Sequence, residues 1–163
     1  MYTTLEVALE RWAAHPAVAP IYFPELNRRT ALESDLGDWA GPAWREGAVH
    51  SAATDVYVGR LAALASTAPD LLVAHSYVRY LGDLSGGQLL GPVVARALGP
   101  DGRGAAFYAF PAIESIDAFK RRYRAGLDAI PLDEGRGDRI VAEAVHAFSM
   151  HELMFQEIDA IPN

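Results

Sequence analysis

The stretch Tyr77-Val-Arg-Tyr-Leu-Gly-Asp-Leu-Ser-Gly-Gly-Gln88 concentrates the residue types that could do chemistry. Gly82 and Gly86 stand four apart, so on a helix they share one face. With no Cβ at either position, a flat group could lie almost against the backbone. Asp83 sits beside them in the middle of the helical pattern, either as a surface charge or as a pocket acid that holds water. Two helices packed through small residues would use the same glycines, and the residues alone leave both readings open. A phosphate cradle does not fit, because no Gly-Lys-Ser/Thr follows and the glycines lie within a helical pattern. Lys120 and Arg124 are also four apart, a spacing suited to a pair of carboxylates. Together with Arg121 and Arg122 they would equally make a solvated basic face. Phe148, His151 and Phe155 share a helix face with Ala144. Aromatic residues at such spacing ordinarily build core, and a lone histidine there is ordinarily structural.

The elements that must position these residues read almost entirely at helical period. Leu5, Ala8, Leu9 and Trp12 mark an amphipathic helix over 3–14, and His15-Pro16 to Pro20 is a loop. Pro24 suits the first turn of a second helix with Leu32, Leu36 and Trp39 along its face. Residues 52–66 form a third, with Tyr57, Leu61 and Leu64 in line. A long helical pattern runs from Asp70 to about Leu98, with breaks expected at Gly82, Gly86-Gly87 and Gly91-Pro92, since each interior glycine costs ~1 kcal/mol. The run from Gly99 to Gly104 is a loop. Ala105 to Ile113 is aromatic and reads as a short strand or an extended connector. A helix over 115–127 carries Ile116, Phe119, Tyr123 and Leu127 as its core stripe. The last helix covers about 138–158, with Ala144, Phe148, His151 and Phe155 on one face. The fold class is all-α, in one domain spanning 1–163.

Composition narrows the function. The net charge of −7 disfavours nucleic acid as a partner, since affinity there rests on neutralising phosphates. The chain has no cysteine, which excludes disulfides, thiolate zinc or haem ligands, iron–sulfur clusters and covalently attached c-type haem. No apolar run approaches the ~18 residues that a membrane span requires, and the N-terminus lacks signal-peptide character. A soluble cytoplasmic protein without membrane attachment is the expectation.

The string YLGDLSGGQ closely resembles the distal-helix signature of the haem oxygenase family. The segments APIYFPEL, LESDLGDW, APDLLVAHSYVRYLGDLSGG, AFYAFPAI, FKRRYR and AFSMHELMFQEI are similar to family counterparts in the same order, over nearly the whole chain. The resemblance implies a helical fold with a glycine-kinked distal helix over haem, which is both cofactor and substrate. Oxygen and electrons from a separate ferredoxin or flavoprotein reductase would convert haem to biliverdin, carbon monoxide and ferrous iron. It implies that Gly82 and Gly86 lie over the haem and that Asp83 anchors a distal water network for proton delivery. Arg79 and Tyr57 would support that network. Lys120, Arg124 and Tyr77 would grip the haem propionates, and Phe148 and Phe155 would form apolar walls.

Three features depart from the family pattern. His151 stands where relatives have Asn, and position 6 is Glu where relatives can have a tyrosine of the distal network. The chain also begins inside what resembles the family's second helix. No residue matches the proximal histidine that ligates iron, so an N-terminally truncated oxygenase is expected, whose groove is wide, apolar and open on one side. His151 is a weak surrogate ligand. Loss of catalysis with retention of haem binding or a helical interaction role, and a dimer that completes the pocket, are the alternatives.

Overall fold

The computed structural model describes residues 1–99 and 103–160, and these contain helices and turns but no strand. The elements are α1 (Tyr2–Arg11), α2 (Arg29–Ala40), α3 (Trp44–Gly47), α4 (Ala52–Thr67), α5 (Leu72–Ser76), α6 (Gly82–Leu98), α7 (Ile116–Asp128) and α8 (Glu134–Asp159). Residues 100–102 of the expected Gly99–Gly104 loop lie outside the described residues, as do residues 161–163 of the 1–163 domain. No described helix is long and apolar enough to cross a membrane.

The centre is built by α1, α4, α5 and α8. The stripe on α1 buries Leu5, Ala8 and Leu9, and the Trp12 indole N–H donates to the Ala65 carbonyl at 2.7 Å, tying α1 to α4. Tyr57, Leu61 and Leu64 of α4 are buried as their spacing required, and Ser51 caps that helix through the Thr54 N–H.

Two starts differ from expectation. Pro24–Leu26 is an isolated 3₁₀ turn, and α2 begins only at Arg29. The reason is a long-range cap: the Glu6 carboxylate accepts the backbone N–H groups of Arg28 at 2.6 Å and Arg29 at 3.1 Å, satisfying donors a helix start leaves unpaired. Helix α8 begins at Glu134 because Asp133 accepts the Arg136 N–H at 2.8 Å.

The aromatic connector is a single 3₁₀ turn at Ala106–Tyr108, not a strand. The Asp35 carboxylate takes the N–H groups of Ala106 and Phe107 at 2.7 and 2.8 Å. The Arg28 guanidinium donates to the carbonyls of Phe107 and Ala109 and lies 3.8 Å from the Phe110 ring centre. With its backbone groups taken by α2 and its flank, the segment has no ladder to join.

The long helical pattern after Pro69 is not broken at its glycines. Its departure from α geometry is a π-helical turn at Tyr77–Leu81, and α6 then runs without interruption from Gly82 through Gly86, Gly87, Gly91 and Pro92 to Leu98. Two of the glycines serve close approach. A Cβ at Gly91 would meet the Tyr108 Cβ at 2.9 Å, and one at Gly87 would touch the same ring at 3.6 Å.

On α8 the buried face is Glu143, Ala147, Met150 and His151, while Phe148 and Phe155 are 58% and 65% exposed. Glu143 is the cause. A carboxylate that reads as outward is drawn inside by two partners, which turns the aromatic pair out.

Candidate active site

Gly82, Gly86, Leu89 and Val93 fall on one face of α6, and this face is open. Nothing lies within 4 Å of where a Cβ would stand at Gly82 or Gly86, and Leu89 is 77% exposed. Val141, Val145 and Phe148 form a second exposed apolar face on α8. A cavity of about 360 Å³ between α5, α7 and α8 is lined by Tyr77, Leu127, Val141 and Phe148 among others. It brings Tyr77 and Phe148 together; Gly82, Gly86 and Phe155 are not part of its lining.

Asp83 is buried at the first turn of α6, one helical flank away from Gly82 and Gly86. The Tyr2 hydroxyl donates to its Oδ2 at 2.6 Å. Arg79 pairs with its Oδ1 at 3.5 Å, and the Arg79 Nε donates to the Tyr2 oxygen at 3.0 Å. The hydrogen bonds therefore run in one direction, from guanidinium to phenol to carboxylate. Burial raises the Asp83 carboxyl above the ordinary aspartate range, against the lowering influence of Arg79, Tyr2 and Arg28. Tyr2 was not evident in the sequence. Glu6 caps α2, and the hydroxyl comes from Tyr2, one turn earlier on the same face of α1. The i, i−4 relation to Glu6 was the available signal.

Tyr57 belongs to a second array. Its hydroxyl lies 3.0 Å from Nδ1 of His75, whose Nε2 lies 2.9 Å from the Glu143 carboxylate. Arg60 closes the array with two contacts to Glu143 and reaches the surface. Burial would raise Glu143, but the hydrogen bonds from Arg60 and His75 outweigh it and hold the carboxyl low. An ionised Glu143 takes the His75 proton on Nε2, leaving Nδ1 to accept the Tyr57 O–H. Burial lowers the His75 imidazole and raises the Tyr57 phenol, so both stay neutral. The structure thus joins Asp83 to Arg79 and places Tyr57 in the adjoining array. His75, Glu143 and Arg60 are members that spacing could not disclose, since they lie on three separate helices.

On α7, Lys120 pairs with Asp117 at 3.1 Å, and Arg124 is exposed one turn on. The Tyr123 hydroxyl bonds Ser76 at 2.7 Å, mooring this helix beside the segment that carries Tyr77. No hydrogen bond joins Lys120 or Arg124 to Tyr77 among the described residues. His151 is buried, with Nδ1 on the Ala147 carbonyl at 2.7 Å and Nε2 enclosed without a partner. An iron ligand needs an accessible nitrogen, and as placed this one has no room for a metal.

The sequence profile of the family described as Heme oxygenase matches residues 1–157. The chain is 47% identical over 160 residues to Heme oxygenase 1 of Nostoc sp., covering 98% of this chain and 67% of that protein. It is 44% identical over 164 residues to Heme oxygenase 1 of Rattus norvegicus, covering 99% of this chain and 57% of that protein. It therefore spans about two-thirds of the cyanobacterial relative's length and less of the mammalian one. The crystal structure of heme oxygenase-1 from Synechocystis in complex with heme superimposes with a TM-score of 0.92 at 46% identity, over 96% of this chain and 71% of that one. On the strength of these matches along nearly its whole length, the chain belongs to the haem oxygenase family.

Proposed function

We propose that the chain binds haem against the open face of α6 and acts as a haem oxygenase. Haem would be cleaved with O2 and electrons from a ferredoxin or flavoprotein reductase to biliverdin, carbon monoxide and ferrous iron. The observation that carries this reading is a buried carboxyl, Asp83, held by directed donors beside two glycines that open onto unfilled space. The residues present fit a porphyrin. A flat ring needs van der Waals approach to backbone, which Gly82 and Gly86 permit, and apolar surroundings, which Leu89 and Val93 of α6 supply. Phe148 and Phe155 are exposed apolar groups suited to the ring's edge.

Haem supplies the iron that activates oxygen. The protein's part is to bind, orient and deliver protons. Asp83, whose carboxyl is raised by burial, is suited to hold a proton and pass it to distal solvent. Tyr2 and Arg79 fix the carboxylate's position, and Tyr57 is held still by His75. Lys120 and Arg124 would offer charge to two propionates, and the Tyr77 hydroxyl would add a donor.

The test is to titrate ferric haem into the purified protein and then add reductase with NADPH, following biliverdin and carbon monoxide. A one-to-one complex that forms biliverdin is expected. Asp83→Asn should bind haem as well and form biliverdin ~10²-fold more slowly, as for loss of an acid–base group. A haem complex that releases no biliverdin with either class of reductase overturns the activity.

A further inference from the structure

Helix α6 rests on the connector through a side chain that two glycines admit. Gly87 and Gly91 lie on the flank of α6 turned away from Gly82, Gly86, Leu89 and Val93. Against that flank stands the turn Ala106–Tyr108. A Cβ at Gly91 would come within 2.9 Å of the Tyr108 Cβ, so the two segments approach as closely as glycine allows. The Gln88 amide donates to the Tyr108 carbonyl at 3.3 Å beside the same contact. Open space flanks it on both sides. A cavity of about 320 Å³ is lined by Tyr108, Gly91 and Pro92, and another of about 290 Å³ by Tyr108, Trp39 and Val94. Tyr108 is therefore the spacer between connector and helix. The spacer is anchored from behind. Asp35 accepts the N–H groups of Ala106 and Phe107, Arg28 donates to the carbonyls of Phe107 and Ala109, and Phe107 stands edge-on to Tyr2 with centroids 5.6 Å apart at 69°.

We propose that Tyr108 is a positioning residue for haem: seated in the notch at Gly91, it sets how far the open face of α6 reaches toward the ring. This rests on the placement of haem against Gly82 and Gly86. A rigid flat ring tolerates little change in the wall it lies on. A wall that retreats by ~0.5–1 Å forfeits a quarter to a half of each dispersion contact, and one that advances overlaps the ring. The connector is tied down by Asp35 and Arg28, while nothing lies within 4 Å of a Cβ at Gly82 or Gly86. A clash at Gly91 is therefore relieved by α6 moving toward its open side. The two notch glycines are separable. A methyl at Gly87 would meet the Tyr108 ring at 3.6 Å, an ordinary contact, whereas one at Gly91 would displace the helix. Both alanine variants gain the same helix propensity, so a difference between them reports the helix position alone.

The experiment compares wild type, Gly91→Ala, Gly87→Ala, Tyr108→Ala, Tyr108→Phe and Gly86→Ala. In the haem-free protein, amide hydrogen exchange in α6 of Tyr108→Ala should quicken ~10-fold relative to that in α4. Tyr108→Phe keeps the Cβ and the ring, so its exchange should match wild type. Ferric haem titrations should give ~10-fold weaker binding for Gly91→Ala and Tyr108→Ala, and affinities within about twofold of wild type for Gly87→Ala and Tyr108→Phe. Exchange that quickens equally in α4 and α6 of Tyr108→Ala, or equal haem affinities for Gly91→Ala and Gly87→Ala, overturns the proposal. The glycine pair decides it even if Tyr108→Ala does not fold. If Gly86→Ala binds haem weakly while Gly91→Ala and Tyr108→Ala bind it like wild type, only the Tyr108 assignment falls. If Gly86→Ala also binds like wild type, the placement of haem on α6 falls with it.

Discussion

The Tyr2 hydroxyl and the Asp83 carboxylate are 81 positions apart in the chain and 2.6 Å apart in space. The bond ties the first turn of α1 to the first turn of α6. The apolar stripe of α1 therefore does more than fill the core. By seating Leu5, Ala8 and Leu9 it aims Tyr2 at the acid, and Tyr2 and Arg79 together hold both carboxylate oxygens. Glu6, on the same helix face, holds the start of α2, so one helix braces both the acid and the layer beside it.

Tyr2→Phe should accordingly leave a buried carboxylate oxygen without its donor. The expected loss is about 1–3 kcal/mol in urea unfolding at pH 7. The Tyr2 hydrogen bond favours the ionised form of Asp83, so its removal moves an already raised carboxyl further up. Biliverdin formation should slow and its acid-side pH limb should move upward. Unchanged stability with an unchanged pH profile would remove Tyr2 from the network.

The helices of this fold are legible in the sequence because each keeps its 3.6-residue period, as Tyr57, Leu61 and Leu64 show. What the period could not show is long-range capping. Glu6 delays α2 and Asp35 claims the connector, and both act through backbone N–H groups far away in the chain. The site was legible where it is local. Arg79, Gly82, Asp83 and Gly86 lie within eight residues, whereas Tyr2, His75 and Glu143 meet only after folding. The inward face of α8 was misread because Glu143 is charged, and pattern alone cannot anticipate that Arg60 will pair with it and His75 will donate to it.

The two buried histidines should make the protein acid-labile. Burial lowers His151 from 6.5 to about 4, and lowers His75 in the same direction. A histidine that titrates lower when folded binds its proton more readily when unfolded. Its contribution is present above the unfolded value of 6.5 and is lost as pH falls toward the folded one. For His151 alone the loss between pH 7 and 5 is about 2 kcal/mol. His151→Asn should flatten that part of the urea-midpoint curve. Curves of equal slope for the variant and wild type would contradict it.

Glycines on opposite sides of the site should respond with opposite signs. At Gly86 a methyl group meets nothing within 4 Å, so Gly86→Ala should stabilise the haem-free protein by up to about 1 kcal/mol through helix propensity. The same methyl would stand in the space assigned to haem, so haem affinity or turnover should fall. At Gly126 of α7 a Cβ would come within 2.1 Å of the Pro20 carbonyl oxygen, which is backbone and cannot swing aside. Gly126→Ala should cost about 1–3 kcal/mol, the range for overpacking, and lower the thermal midpoint. A stabilised Gly86→Ala that binds and cleaves haem normally would place the ring elsewhere.

Lys120 and Arg124 test the anion grip most directly, because their structural roles are slight. The Lys120–Asp117 pair is an i, i+3 contact whose Asp117 side lies in solvent, and its loss should change stability by under about 1 kcal/mol. If both cations hold propionates, each contact contributes about 1.5–3 kcal/mol, so either alanine variant should weaken haem binding by at least ~10-fold. The dependence should also carry an ionic signature. Wild-type affinity falls as salt rises, and the double variant loses most of that slope. Asp117→Asn adds a complementary arm, since releasing Lys120 from its partner should tighten haem binding without touching the site. Haem titrations at low and high salt on these five proteins settle the matter. Equal affinities and parallel salt slopes would return both residues to the solvated surface of α7.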